Sequence, residues 1–150
     1  PDPSADIGRH EFAYALMPHE GDWAAAGVHR EAESFASPLL AKAAAADRSG
    51  PAGRSWAPFE ISRTGSCDVQ IAAFSATKHG TGLILRLFEC RGGSGDVAIT
   101  WNIKASRVQV VDVLERGYDD PPINHSAGNR AVTTFKVRPF QIVTLRLEAD

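Results

Sequence analysis

The stretch Gly82-Leu83-Ile84-Leu85-Arg86-Leu87-Phe88-Glu89-Cys90 decides the fold. Leu83, Leu85 and Leu87 point to one side of an extended chain, and Ile84 and Phe88 point to the other with Arg86 between them. A half-exposed strand would alternate cleanly between apolar and polar residues. One that is apolar on both sides belongs in the middle of a packed structure. Gly80 and Gly82 precede it and Gly92, Gly93 and Gly95 follow, so turn residues bracket it. It is predicted as the central strand of an all-β core.

Outward from this strand the pattern stays β. Phe59-Glu60-Ile61 and Val69 to Phe74 are strand candidates, and Lys78-His79-Gly80-Thr81-Gly82 is a turn that makes a hairpin with the central strand. From Asp96 to Ile103, Val97, Ile99, Trp101 and Ile103 face inward. Val108 to Val113 shifts phase midway, as a bulge or a sheet-switching strand would. Gly117 to Asn129, with Pro121, Pro122 and Gly128, reads as a long loop. Val132 to Val137 and Phe140 to Leu147 close the chain as two strands around Pro139. Short strands at this spacing favour an antiparallel sandwich.

The first third is different. Pro1 to Arg9 reads as a loop or entering arm. His10 to Leu16 alternates, with Phe12, Tyr14 and Leu16 on one side, and is predicted as a strand with one buried face. Asp22 is a helix N-cap candidate before Trp23, although Gly27 would weaken a helix there. From Val28, the residues Ala32, Phe35, Ala36 and Leu39 fall at helical spacing, and Pro38 stops the helix. Ala41 to Gly53 is alanine-rich, then Ser/Gly/Pro-rich, and reads as a poorly packed connection. The fold class expected is mainly β, an antiparallel β-sandwich with one short helix near the N-terminal third.

With 150 residues the chain suits a single domain burying roughly 70% of its unfolded surface. A net charge of -2 gives no electrostatic case for nucleic acid or an anionic membrane. No apolar run nears the ~20 residues of a membrane span. With no leader pattern, a cytoplasmic location is expected. The chain opens on Pro1, which reads as processing or as a piece of something longer. Cys67 and Cys90 make no disulfide framework and are expected as free, largely buried thiols.

Four ordered stretches then resemble one family. Phe12 to Trp23 (FAYALMPHEGDW) is similar to the "F-x-Y-x-L-x-P-H-x-G-x-W" of the C-terminal half of family 38 glycoside hydrolases, the retaining α-mannosidases. Glu31 to Leu39 resembles their "E-A-x-x-F-N-x-P-L", with Ala36 in place of Asn. Gly80 to Glu89 resembles "G-x-G-x-I-L-R-L-Y-E", and Arg138 to Leu147 resembles the closing "P-F-E-I-x-T-L-R-L" with Gln141 for Glu. Departures cluster at Ser75 to His79. In that family the nucleophile, the acid/base carboxylate and the metal ligands, usually for zinc, lie in an N-terminal α/β domain. The resemblance therefore implies one accessory β-sandwich domain, residues 1–150, with no catalytic or metal-ligating residue of its own. Its expected partners are the catalytic domain of the same polypeptide and mannose-containing glycans.

Site candidates are weighed on that basis. Glycoside hydrolysis needs two carboxylates about 5 to 9.5 Å apart, and no spacing singles out a pair among Glu89, Glu115, Asp119 and Asp120. Glu89 is expected in a structural ion pair with Arg86. Arg86 must find a partner, either Glu89 or another carboxylate, or something across a domain interface such as the catalytic domain or its sugar. The five histidines form no metal-binding pattern. His19 is read as ordering the turn before Trp23, or as a substrate or interface residue. Trp23 and Trp56 are candidates for stacking on a sugar or lining an interface, whereas Trp101 alternates into the core.

Overall fold

Leu85 and Leu87 are 0% and 1% exposed, and the strand they belong to lies inside a four-stranded sheet, as expected. The computed structural model describes residues 5–41, 55–78 and 80–148. These fall into two compact units, divided between Ser49 and Gly50. The expected arm at 1–9 lies partly outside the described residues, and almost all of the alanine-rich connection and His79 lie outside them too.

In chain order the elements are helix α1 (Val28–Ala36) and strands β1 (Phe59–Arg63), β2 (Val69–Ala76), β3 (Leu83–Glu89), β4 (Gly95–Trp101), β5 (Arg107–Val111), β6 (Ile123–Ser126), β7 (Val132–Val137) and β8 (Ile142–Glu148). The strands form two antiparallel sheets, ordered β1-β4-β7-β6 and β2-β3-β8-β5. The fold is thus mainly β, with one short helix among the described residues.

One apolar cluster joins the two inner faces. Leu85, Leu87, Val143, Leu145 and Leu147 come from one sheet, and Val97, Ile99, Trp101, Phe135 and Val137 come from the other. Each fully buried aliphatic side chain contributes roughly 1.5–3 kcal/mol, so this interlayer is the main stabilising feature. The hairpin of β2 and β3 forms as expected. The alternation of Val97, Ile99 and Trp101 also faces the core, with Ile103 packed at its margin.

The outer face of β3 explains why the strand is apolar twice. Ile84 is 3% exposed yet stands outside the main cluster. Arg86 pairs in register with Thr144 of β8, which pairs with Val111 of β5. A short strap, residues 112–116, lies over this face, because the Arg86 guanidinium donates to the Val113 carbonyl. The phase shift near Val111, expected as a bulge or a sheet-switching strand, is instead the end of β5, where Val110 faces the core and Val111 is buried on the other side. The register break falls in β2, between Ile71 and Ala73. The expected loop from 117 to 129 also contains a strand, β6, added to the edge of β7. Its four residues INHS give only a half-buried pattern, too short to read from periodicity.

The first unit departs most from expectation. Among the described residues His10 to Leu16 forms no strand and buries no face. Phe12, Tyr14 and Leu16 are exposed, and no ladder forms there among the described residues. Alternation supplies a face but not a partner, and an isolated strand has nothing to hydrogen-bond. The helix forms over Val28–Ala36 and stops before Pro38. Asp22 does cap the segment that starts at Trp23, as expected, but that segment is a turn and not a helix. The Asp22 Oδ1 accepts the N–H groups of Ala24 and Ala25, both at 2.9 Å. Gly27, with φ 72, ends that turn and serves as the helix N-cap.

Candidate functional site

Glu89 ends β3 on its inward side, where burial would push its carboxyl up. The carboxylate instead accepts backbone N–H groups from Asp68 (3.2 Å), Arg91 (3.0 Å), Gly92 (2.7 Å) and Phe140 (3.0 Å). Those bonds outweigh the desolvation and hold it below the ordinary carboxylate range. Its partners are four amides, not Arg86. At 2% exposure it acts as a staple joining the ends of β2, β3 and β8, out of reach of any substrate. The sequence signal was present in Gly92 and Gly93, three and four residues after it, since tight turns aim N–H groups inward.

Arg86 likewise pairs with no carboxylate among the described residues. Its Nε donates to Thr144 Oγ1 and its Nη2 to the Val113 carbonyl, each at 3.1 Å. The strap it clips is closed by Asp112, whose carboxylate accepts from the Leu114 and Arg116 amides and pairs with the Arg116 guanidinium at 2.7 Å. The Arg116 contacts, backbone first, hold the Asp112 carboxyl below its usual value. Beyond them Glu115 accepts from the Thr77 hydroxyl and from the Lys78 N–H. The strap therefore runs from the edge strand β5 to the β2–β3 turn.

Asp68 is buried and pairs with Arg63 at 2.9 Å. Neither Cys67 nor Cys90 is in a disulfide, and the Cys90 thiol donates to the Asp68 carbonyl at 3.2 Å. Burial pushes the Cys67 thiol up, which keeps it protonated and inert. Trp101 donates to Thr133 Oγ1 at 2.9 Å inside the core.

Trp56 is the sequence candidate that the fold sets in a concave place. It is 57% exposed and lines an open groove of about 540 Å³ with Glu60, Asn102, Asn129 and Arg130. The Glu60–Arg130 pair spans 3.5 Å, and Asn102 Nδ2 donates to the Ala57 carbonyl at 3.1 Å. An aromatic face beside amides and a charged pair suits a hydroxylated ring. Glu60 is the groove's single carboxylate among the described residues, whereas a retaining glycosidase needs two. A second groove, about 410 Å³, is lined by Gln109, Tyr118, Asp119 and Ile123.

His19 and Trp23 belong to the first unit, and Arg86 and Trp56 to the second. His19 is exposed and donates from Nδ1 to the Glu20 carbonyl at 3.4 Å. Trp23 is half-exposed, with its ring edge-on to His29 at 5.9 Å.

Comparison with known proteins bears on these sites. Residues 68–145 match the model of the glycosyl hydrolases family 38 C-terminal beta sandwich domain. The chain is 36% identical over 149 residues to alpha-mannosidase 2C1 of Homo sapiens, an alignment covering 98% of the chain and 14% of the human protein. The Mus musculus counterpart is 35% identical over 150 residues, with the same coverage. Alpha-mannosidase G of Dictyostelium discoideum is 24% identical over 158 residues, covering 97% of the chain and 13% of that protein. The chain thus spans about one-seventh of the length of the relatives it matches. No solved structure matches it.

Proposed function

The chain belongs to the glycosyl hydrolase family 38 C-terminal beta sandwich domains, and from that membership we propose that it is a non-catalytic accessory domain of a retaining α-mannosidase. In this reading the parent enzyme removes terminal α-linked mannose. The sandwich packs against the catalytic domain of the same polypeptide and braces it. The observation that carries the reading is the lopsided coverage of the alignments, nearly all of this chain against 14% of an alpha-mannosidase. The state of the carboxylates supports it, since Glu89 is consumed by backbone amides and Asp68 is paired with Arg63. The divalent metal, zinc in the resemblance, is assigned to the catalytic domain and not to this chain.

The purified chain is assayed with an aryl α-mannoside, with and without added zinc. No turnover is expected in either case. Turnover abolished by substituting a carboxylate of this chain would overturn the reading.

The Trp56 groove favours a second reading, a carbohydrate-binding module. Titration of mannose and oligomannosides against the isolated chain separates the two. Saturable binding lost in Trp56→Ala would establish the module, whereas a flat titration leaves the bracing role.

A further inference from the structure

Residues 5–41 form a unit with no inside: none of them is buried, and α1 buries no residue of its own. Phe12, Tyr14 and Leu16 are 86%, 78% and 88% exposed. Large apolar side chains so placed gain nothing from the order imposed on them, so a partner must cover them. Their spacing names the kind of partner. A two-residue period fits a sheet and not a helix, and no backbone–backbone hydrogen bond among the described residues reaches 10–16. A row of free N–H and C=O groups is a template for an added strand.

The other side of the segment already has a neighbour. Ala15 and Met17 line a groove of about 220 Å³ with Val28, Ala32 and Phe35. The Phe12-Tyr14-Leu16 side is the more open, at 78–88% exposure against 40% for Met17. The match to the sandwich family begins at residue 68, so the segment lies outside it. The alignments to the much longer alpha-mannosidases nevertheless run through it.

We propose that residues 10–16 are a strand whose sheet lies elsewhere in the parent α-mannosidase polypeptide. They pair with an exposed strand edge there, burying Phe12, Tyr14 and Leu16, while α1 covers the opposite side. The proposal rests on the accessory-domain reading above and specifies how that domain is tied in.

The test compares the 150-residue chain with the full-length gene product that carries it. Amide hydrogen exchange at 10–16 should be at least 100-fold slower in the full-length protein. Tyr14→Ser should lower the full-length Tm by several degrees and leave the Tm of the short chain unchanged, and Ala13→Ser should move neither. Equal exchange in both proteins, or equal sensitivity at Tyr14 and Ala13, would overturn the pairing. A dimer of the short chain dissolved by Tyr14→Ser would overturn the choice of partner. Protected amides in a full-length protein without α-mannosidase activity would sink the functional reading and leave the pairing standing. Activity with unprotected amides would do the reverse.

Discussion

The Glu89 carboxylate and the Phe140 backbone N–H meet at 3.0 Å across 51 residues of sequence. This bond ties the end of β3 to the turn entering β8, and with three further amides it makes the buried charge tolerable. Hydrogen bonds to a charged group are worth about 1.5–3 kcal/mol each. Breaking a buried charged network costs about 3–5 kcal/mol.

Glu89→Gln keeps the shape and removes the charge and one acceptor oxygen. It should destabilise the chain by about 2–4 kcal/mol at pH 7, measured by urea unfolding. The pH dependence has a definite sign. The folded carboxyl sits below its ordinary value, so the stabilisation is complete above about pH 5 and is lost as pH falls through the folded value. Asp112 is depressed in the same direction, so the comparison belongs in an Asp112→Asn background. A Gln variant whose stability falls as steeply below pH 4 as its parent's would rule out the staple.

Phe140 has φ 58, a left-handed conformation costing a side-chain-bearing residue about 1–2 kcal/mol. Its ring is 71% exposed and contributes little that the strain must be set against. Phe140→Gly should leave stability unchanged or raise it by about 1 kcal/mol, since the N–H to Glu89 is kept. Phe140→Val, β-branched at the same φ, should lose more than about 1 kcal/mol. Equal unfolding midpoints for the two variants would show that Glu89 does not impose the backbone conformation.

Thr133 links a buried chain of polar groups. Trp101 Nε1 donates to its hydroxyl at 2.9 Å, His125 Nδ1 lies 2.9 Å from the same oxygen, and His125 Nε2 donates to the Ala105 carbonyl at 3.1 Å. A carbonyl can only accept, so Nε2 carries the hydrogen. In the neutral ring Nδ1 then accepts from Thr133, and every member is satisfied. Thr133→Val leaves the indole and the imidazole without their partner and should cost about 1–3 kcal/mol, whereas Thr133→Ser should cost less. Nitrogen NMR should find the Nε2–H tautomer of His125; the opposite tautomer would break the chain.

The sandwich was legible because its strands carry their faces in their own residues. Leu83 to Glu89, Asp96 to Trp101 and Val132 to Val137 each alternate or run apolar for long enough to be read alone. What escaped depends on partners far along the chain. Glu89 reads as a partner for Arg86 by proximity, yet its cage comes from Asp68 and Phe140. His10 to Leu16 has the period of a strand but no ladder within the described residues, since alternation names a face without supplying an edge. β6 is four residues long and is set by β7. Trp56 lines a groove that could not be read locally, because Asn102, just after β4, and Arg130, in the turn before β7, come to it from far along the chain. The strap gave no periodic signal, because Asp112 and Glu115 hold it through side chains.

The strap gives the last prediction. Arg86 donates once to Thr144 and once to the Val113 carbonyl, so it holds the strap to the sheet while Glu115 anchors the far end at Thr77. Arg86→Met preserves the stem's packing and deletes both donors. Amides of residues 112–116 should then exchange about tenfold faster, with a global cost near 1–2 kcal/mol. Arg86→Lys should fall between, because an ammonium cannot reproduce two donors set in a planar fork. Amides of Leu85, Leu87 and Val143 should keep their protection, because these side chains face the other layer. If protection fell equally at Leu85 and in the strap, Arg86 would be stabilising the whole sandwich, and the strap would not open independently.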